Sequence, residues 1–143
     1  DSGDIDRKAL GAKVFGEPKQ LKALTDIVWP EIRRLAEDRI RTALEQNPAR
    51  HLVLEAAVLI EAGWEDLGEE VWVVTVEPET AIMRCMARDG LDRAAVEQRL
   101  AAQLTNGERA AHAHRVLTND AGEEEFIEQL AIAFDAISNG DSG

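Results

Sequence analysis

Three arginines and a glutamine follow a short apolar run at helical spacing. Arg84 and Arg88 stand four residues apart and so share one face of a predicted helix. Arg99 and Gln103 repeat this spacing in the next predicted helix. A guanidinium group is planar and donates several hydrogen bonds, which suits phosphate oxygens, so the spacing indicates a candidate phosphate clamp. The alternative is a set of solvated ion pairs with nearby carboxylates, namely Glu79, Asp89, Asp92 and Glu97.

The elements that must position these side chains begin with the apolar, β-branched run Val71–Val76. Such a run predicts a strand that is buried on both faces. Pro78 then predicts the start of a helix, with Glu77 and Glu79 in its first turn, and Asp89–Gly90 predicts its end. Spacing alone favours the ion pairs. The strand-then-helix context strengthens the phosphate-clamp interpretation, because ligands of α/β proteins bind at the carboxyl ends of parallel strands.

The rest of the chain alternates helical and strand-like patterns. An amino-terminal group of three helices is predicted at Ile5–Phe15, Lys19–Val28 and Pro30–Leu44, with Trp29–Pro30 separating the second from the third. Further strands are predicted at His51–Leu54 and Arg115–Thr118, and further helices at Thr105–Ala111 and Glu123–Ile137. Strands that alternate with helices predict an α/β fold with three parallel strands and helices on both faces of the sheet.

Two acidic residues, Glu55 and Glu61, flank the apolar run that follows the His51–Leu54 strand. A carboxylate at the end of a buried strand could be a general base, a magnesium-shell residue or an acceptor for a sugar hydroxyl. A helix cap or an ion pair is an equally good interpretation. His51, His112 and His114 show no zinc-site spacing with Cys85, so no metal site is predicted.

Composition narrows the class of protein. The 143 residues predict one domain, and the 28 acidic against 16 basic residues give a formal net charge of −12, which argues against a nucleic-acid binder. The single cysteine fits a reducing, intracellular compartment, cytoplasm or mitochondrion. Neither a signal peptide nor a membrane span is predicted. Because the first residue is Asp1 rather than Met, we expect the chain to be part of something longer.

Several runs, taken together, resemble one family. They are IDRKALGAKVFG (5–16), WP (29–30), AAVLIEAGW (56–64), RDGLDRAAVEQRLAAQ (88–103) and VLTN (116–119). In order and spacing they resemble dephospho-coenzyme A kinase over roughly Ile5 to Leu130, with the closest likeness to the kinase domain of the eukaryotic bifunctional coenzyme A synthase. The resemblance implies a P-loop nucleoside-kinase-like parallel sheet flanked by helices. It also implies transfer of the γ-phosphoryl group of ATP, with Mg²⁺, to the ribose 3′-hydroxyl of dephospho-coenzyme A, the last step of coenzyme A biosynthesis.

The resemblance also implies roles for individual residues. Arg84 matches the catalytic arginine that contacts the transferring phosphates. The ATP and lid positions are matched by Arg88, Arg99, Gln103 and Asn119, with Arg109 following the lid and Asn119 near the adenine. The acceptor side is matched by Trp29, Leu59 and Glu61.

The family's glycine-rich phosphate loop and its catalytic base find no match in the 143 residues. We therefore expect a partial fold that lacks the first strand and the phosphate loop. The expected layout is a truncated kinase-type domain at 1–138, with a helical coenzyme-A-binding region at 5–50, core strands, lid and C-terminal helix at 51–137, and a flexible tail at 139–143. Four side chains should then be exposed: Leu52, Leu54, Val71 and Val73.

Three functional interpretations arise from this departure: part of a working kinase, an inactive subunit, and a protein that still binds coenzyme A without catalysis. In the first, the chain is part of a working kinase and is inactive alone, with ATP and dephospho-coenzyme A as its ligands when the protein is intact. In the alternative, it is a catalytically inactive, kinase-derived structural or interaction subunit of a larger assembly. In each case a protein partner or further chain is expected to cover the exposed edge of the sheet.

Overall fold

The computed structural model describes residues 4–14, 17–101 and 103–138, and the chain divides into two compact units, Asp1–Leu67 and Gly68–Gly143. The first unit contains helix α1 (Arg7–Val14), helix α2 (Pro18–Gln46) and a short 3-10 helix (Glu65–Leu67). The predicted end of the first helix at Phe15 and the predicted tail at 139–143 lie outside the described residues. No helix in the described ranges is both long and apolar enough to cross a membrane.

Helix α2 corrects the predicted break at Trp29–Pro30, because one continuous helix of 29 residues runs through Pro30. Proline removes one backbone donor from the helix interior and costs about 3 kcal/mol there. Ion pairs at helical spacing lie on both sides of it: Lys22 with Asp26 at 2.6 Å, and Arg33 with Glu37 at 2.8 Å. The long runs of helix-forming residues before and after Pro30 offset its cost. The helix ends at Gln46, two residues beyond the predicted Leu44, with Asn47 as its C-cap.

The predicted strand His51–Leu54 does not form, so the expectation of three strands is wrong. Residues 51–56 have no regular structure and residues 57–63 form turns. A strand needs a neighbour to pair its backbone groups, and among the described residues of this unit there is none. Leu52 and Leu54 are 39% and 38% exposed, which confirms their predicted exposure.

The second unit contains the sheet. Strand β1 (Trp72–Thr75) pairs in parallel with strand β2 (Arg115–Thr118), in the register Trp72 with Arg115 and Thr75 with Thr118. Helices α3 (Pro78–Asp89), α4 (Arg93–Ala101) and α5 (Asn106–Ala110) connect the two strands, and α6 (Glu123–Ser138) follows β2. Gly90 ends α3 with φ of +65°, a left-handed conformation that glycine adopts without strain. The predicted α/β class and parallel pairing are confirmed.

Burial within this unit corrects two predictions. Val71 and Val73 are buried rather than exposed, together with Ile82, Val96 and Leu117, because helices of the unit pack against the sheet. Val74 is 51% exposed, so the strand is not buried on both faces. Side chains of a strand alternate between faces and partners in the register share a face, so Val73 and Leu117 are buried on opposite faces, and each face of this small sheet is covered only in part.

The amino ends of the two strands are fastened together. The Glu70 carboxylate accepts hydrogen bonds from Trp72 Nε1 at 2.7 Å and from Arg115 Nε at 2.8 Å. Both bonds, chiefly that from Arg115, hold the pKa of Glu70 below its usual range. The Val71 amide donates to His114 Nδ1 at 2.9 Å, and the His114 amide donates to the Val71 carbonyl at 2.8 Å. These contacts fix the register from which the opposite, carboxyl ends of the strands are positioned.

Candidate functional site

Because β1 and β2 are parallel, their carboxyl ends meet at one edge of the sheet, where the Val76–Pro78 turn lies beside the loop Asn119–Ala121. The Asn119 amide donates to the Thr75 carbonyl at 2.8 Å and continues the ladder by one residue. We call this edge the carboxyl edge. It is where ligands of α/β sheets bind.

One peptide unit at the carboxyl edge is held from two sides. Asn106 Nδ2 in α5 donates to the Val76 carbonyl oxygen at 2.8 Å, and the Glu77 amide donates to Asp120 Oδ1 at 2.6 Å. The Val76 carbonyl and the Glu77 amide belong to the same planar peptide group. The turn that begins α3 is therefore fixed by side chains from two other elements.

Arg84 projects from α3 onto the loop after β2. Its Nη1 donates to the Asn119 carbonyl at 2.6 Å, and its Nη2 donates to the Ala121 carbonyl at 3.4 Å. The structure thus brings together the predicted catalytic residue and the predicted adenine-side residue. A guanidinium has five N–H donors, and these two contacts occupy two of them.

A second cluster lies at the other end of α3, around Asp89. Arg88 donates to this carboxylate through Nε at 2.7 Å and Nη2 at 3.1 Å. Arg99 Nη1 of α4 lies 3.7 Å from Asp89 Oδ2, and the Cys85 thiol lies 3.5 Å from the same oxygen. The hydrogen bond from Arg88, followed by that from Cys85, lowers the pKa of Asp89 to about 2. Asp89 therefore gathers two predicted lid arginines at one point.

The three arginines do not form one clamp in this structure. Arg84 sits at the carboxyl edge, whereas Arg88 and Arg99 share Asp89. Arg88 and Arg99 are in ion pairs, as the alternative interpretation predicts, and Arg84 contacts two backbone carbonyls of the loop at the end of the sheet. A fourth arginine, Arg93 of α4, ties its helix to α3 through Glu79 at 2.7 Å and also pairs with Glu97 of its own helix at 2.7 Å.

Gln103 lies beyond helix α4, which corrects its predicted helical spacing with Arg99. The next helix begins immediately afterwards with a capping box, in which the Thr105 hydroxyl accepts from the Glu108 amide at 3.2 Å and Glu108 accepts from the Thr105 amide at 2.7 Å. Because Thr105 is the N-cap of the next helix, α4 must end before it. Gln103 Oε1 instead accepts a hydrogen bond from Arg109 Nη2 at 3.1 Å, so two predicted lid-following residues meet.

The predicted acceptor-side residues all belong to the first unit. Trp29 of α2 packs edge-on against Trp64, with ring centroids 6.2 Å apart and an interplanar angle of 69°. The Trp64 amide donates to the Leu59 carbonyl at 2.9 Å, which connects Trp29 to Leu59 through one buried residue. Glu61 lies in the same group of turns and is exposed.

Some structurally important residues were not predicted. The turn at the carboxyl edge is fixed by Asp120 and Asn106, and Trp29 packs against Trp64 in the first unit. Each of these contacts joins residues that are distant in sequence. Asp120 carried a weak signal, since it lies in the turn sequence Asn119–Gly122 after β2. Asp89 was predicted only as an ion-pair partner, not as a residue shared by two arginines.

The fold is that of an α/β protein with a small parallel sheet and flanking helices, and solved structures share it. The crystal structure of TT1252 from Thermus thermophilus aligns with a TM-score of 0.78 and 37% identity over 95% of this chain and 69% of that one. Dephospho-CoA kinase from Campylobacter jejuni aligns with a TM-score of 0.67 and 28% identity over 96% of this chain and 68% of that one.

The sequence model of the dephospho-CoA kinase family matches residues 1–125, and the chain belongs to this family. Dephospho-CoA kinase of Geobacter sulfurreducens is 48% identical over 90% of this chain and 64% of the relative. Its counterpart in Symbiobacterium thermophilum is 38% identical over 99% of this chain and 59% of the relative. The chain thus spans about three fifths of these two relatives. They are bacterial, and the closer likeness to the eukaryotic enzyme stays a prediction.

Proposed function

We propose that this chain is the lid, base-binding and acceptor-binding part of a kinase that transfers the γ-phosphoryl group of ATP to the ribose 3′-hydroxyl of dephospho-coenzyme A. The observation that carries the proposal is the family match over residues 1–125. The contact between Arg84 and the Asn119 loop at the carboxyl edge supports it, because it joins a phosphate-binding side chain to a base-side loop.

Arg84 acts on the transferring phosphates in this proposal. Phosphoryl transfer depends mainly on positioning and on neutralising charge that spreads over the phosphate oxygens. The contacts of Arg84 with two backbone carbonyls orient its guanidinium at the end of the sheet, and its remaining N–H groups are available to phosphate.

Arg88 and Arg99 act as lid residues. Both are exposed, with 76% and 60% of their side chains accessible, and both rest on the Asp89 carboxylate. A triphosphate carries more negative charge than one carboxylate and accepts several hydrogen bonds, so it competes with Asp89 for these guanidinium groups. Gln103 and Arg109 follow the lid and are held to each other.

Trp29, Leu59 and Glu61 form the acceptor side, within the helical region 5–50 and the turns that come after it. Trp29, half-buried against Trp64, offers an apolar ring, and Glu61 supplies a carboxylate that could accept a sugar hydroxyl. Exposed apolar side chains on α2, among them Ile27 and Ile32, leave room for a large ligand on this unit.

Magnesium would arrive with ATP. Mg²⁺ is usually held by one or two carboxylates together with substrate phosphates, so the reaction does not require a dedicated protein cage. Within the described ranges no three His, Cys, Asp or Glu side chains are grouped so as to hold a metal by themselves. When bound, the ion would neutralise charge on the phosphates, and the arginines would complete that task.

We further propose that catalysis needs residues beyond these 143. No Gly-Lys-Ser or Gly-Lys-Thr occurs in the chain, and the chain spans 64% of the Geobacter relative. The backbone amides of a phosphate loop are the main anchor for a triphosphate. The truncated domain 1–138 would then rely on further polypeptide to cover its sheet, and Val74 is an exposed apolar residue there.

The test compares the protein expressed from its complete gene with the isolated 143-residue chain. Each is incubated with ATP, Mg²⁺ and dephospho-coenzyme A, and coenzyme A is measured by chromatography. The control substrate is a dephospho-coenzyme A analogue that lacks the 3′-hydroxyl. We expect ATP-dependent product from the complete protein only, and none from the analogue.

Two other outcomes would change the proposal. A complete protein that binds a partner and makes no product would support the inactive-subunit alternative, which no contact in the described residues favours. Product from the isolated chain would refute the need for further residues.

A further inference from the structure

Asp120 joins the loop after β2 to the start of α3. Its Oδ1 accepts the Glu77 amide at 2.6 Å across a separation of 43 residues. Glu77 is the N-cap residue of α3, and its own side chain makes no capping hydrogen bond. The Asp120 carboxylate therefore stands where a helix amino terminus favours negative charge, and it takes one of the amides that a cap would satisfy.

The attachment is reciprocal. Arg84, about two turns further along α3, donates to the carbonyls of Asn119 and Ala121, the two neighbours of Asp120. The loop thus gives one side-chain acceptor to the helix, and the helix gives one side-chain donor to the loop. Both contacts depend on the identity of a single side chain, so either can be removed without changing the other residue.

Asn119 is the residue that this arrangement holds still. Its amide donates to the Thr75 carbonyl at 2.8 Å and its carbonyl accepts from Arg84 at 2.6 Å, so both of its backbone groups are used. Neither bond involves its side-chain amide, which can donate to and accept from a ligand. Asn106 fixes the other side of the same turn through the Val76 carbonyl.

We infer that Asp120 is a positioning residue that holds Asn119 and Arg84 at a fixed separation at the carboxyl edge, and so sets the affinity for ATP. The inference rests on the proposed function, which supplies ATP as the ligand. It assigns a part in nucleotide binding to Asp120, a residue for which the family resemblance implied none. Asp120 acts through Asn119 and Arg84, so its effect falls on nucleotide binding rather than on the acceptor.

The experiment compares Asp120→Ala with Asp120→Asn in the complete protein. Alanine removes the acceptor for the Glu77 amide, whereas asparagine keeps an acceptor oxygen at the same place. Asp135→Ala is the matched control, because Asp135 is an exposed carboxylate on α6 of the same unit. The measurements are the KM for each substrate, kcat, ATP affinity by titration calorimetry, and hydrogen exchange of the Glu77 amide.

For Asp120→Ala we expect a KM and Kd for ATP raised on the order of 10-fold, which is what the loss of one charge-assisted hydrogen bond gives. We expect kcat and the KM for dephospho-coenzyme A to change by less than about 2-fold, and the Glu77 amide to exchange about 10-fold faster. Asp120→Asn should restore ATP binding to within about 3-fold.

Two results would overturn the inference. One is an Asp120→Ala protein that matches Asp135→Ala in ATP affinity and Glu77 exchange. The other is an Asp120→Ala protein that weakens both substrates equally and that asparagine does not rescue, since that is general destabilisation. Failure of the proposed function looks different: the wild-type protein would make no coenzyme A, yet ATP affinity would still depend on Asp120.

Discussion

Replacing Arg84 tests whether its guanidinium contributes to the reaction or only anchors a loop. In Arg84→Ala both hydrogen bonds to the Asn119 loop are lost together with the positive charge. In Arg84→Lys the charge stays, but an ammonium is a compact group that cannot span two carbonyls and a phosphate as a planar fork does. The two variants therefore separate charge from geometry.

The expected loss of turnover depends on the N–H donors of Arg84 that its two carbonyl contacts leave available. Two of the five N–H groups contact backbone carbonyls, and the other three are the donors that we propose for phosphate oxygens. Loss of a donor that acts mainly on the transition state lowers turnover by on the order of 10² or more. Loss of the loop contacts raises the KM for ATP by on the order of 10-fold, as for one charged hydrogen bond. We expect Arg84→Lys to retain intermediate turnover.

The assay is steady-state turnover of the complete protein at saturating ATP, so that weaker ATP binding does not reduce the measured rate. Arg93→Gln is the control, because Arg93 is an arginine of the same unit whose contacts are with the side chains of Glu79 and Glu97. We expect the control to keep turnover within about 2-fold of wild type. Unchanged turnover in Arg84→Ala, with only a raised KM for ATP, would refute a catalytic role and leave Arg84 as an anchor of the loop.

Three further predictions concern other parts of the chain. The carboxyl group of Asp89 should titrate near pH 2 by NMR, and Arg88→Gln should move its pKa back toward the ordinary 3.8, so an unchanged midpoint would contradict the assigned cause. Because the pKa is lower in the folded state, the contribution of Asp89 to stability is complete above about pH 4 and is lost as the pH falls toward 2. Leu117→Ala, in the buried face of β2, should lower the free energy of unfolding by about 3 kcal/mol in a urea titration, whereas a change under about 1 kcal/mol would show that the face is not packed. Trp29→Ala should lose about 1 kcal/mol of ring contact with Trp64 and raise the KM for dephospho-coenzyme A but not for ATP, and the opposite split would place the acceptor elsewhere.

Local signals in the sequence were sufficient to predict the helix and the two strands around the carboxyl edge. Pro78 and Gly90 mark the two ends of α3 because proline suits the first helical turn and glycine the left-handed end. The β-branched run before Pro78 and the run Arg115–Thr118 indicated both strands. Each of these predictions depends on residues that are close together in the chain.

Predictions that depended on distant partners failed or could not be made. His51–Leu54 has strand composition but no strand beside it among the described residues of its unit, and Pro30 is tolerated because α2 is strong on both sides of it. The bond between Asp120 and Glu77 spans 43 residues, and no local pattern marks it. Val74 is exposed although Leu117, its partner in the register, is buried, and how far helices cover each face of the sheet is a tertiary property.

The central claim, that Arg84 and Asn119 form a nucleotide site at the carboxyl edge, is tested most directly by NMR. The complete protein, labelled with nitrogen-15, is titrated with Mg²⁺ and a non-hydrolysable ATP analogue, and the Asn119 side-chain amide and the Arg84 Nε–H are followed. The account predicts that both signals shift together and saturate with the analogue, while the indole signal of Trp29 does not. Saturable binding that moves the Trp29 indole and leaves Arg84 and Asn119 unchanged would contradict it.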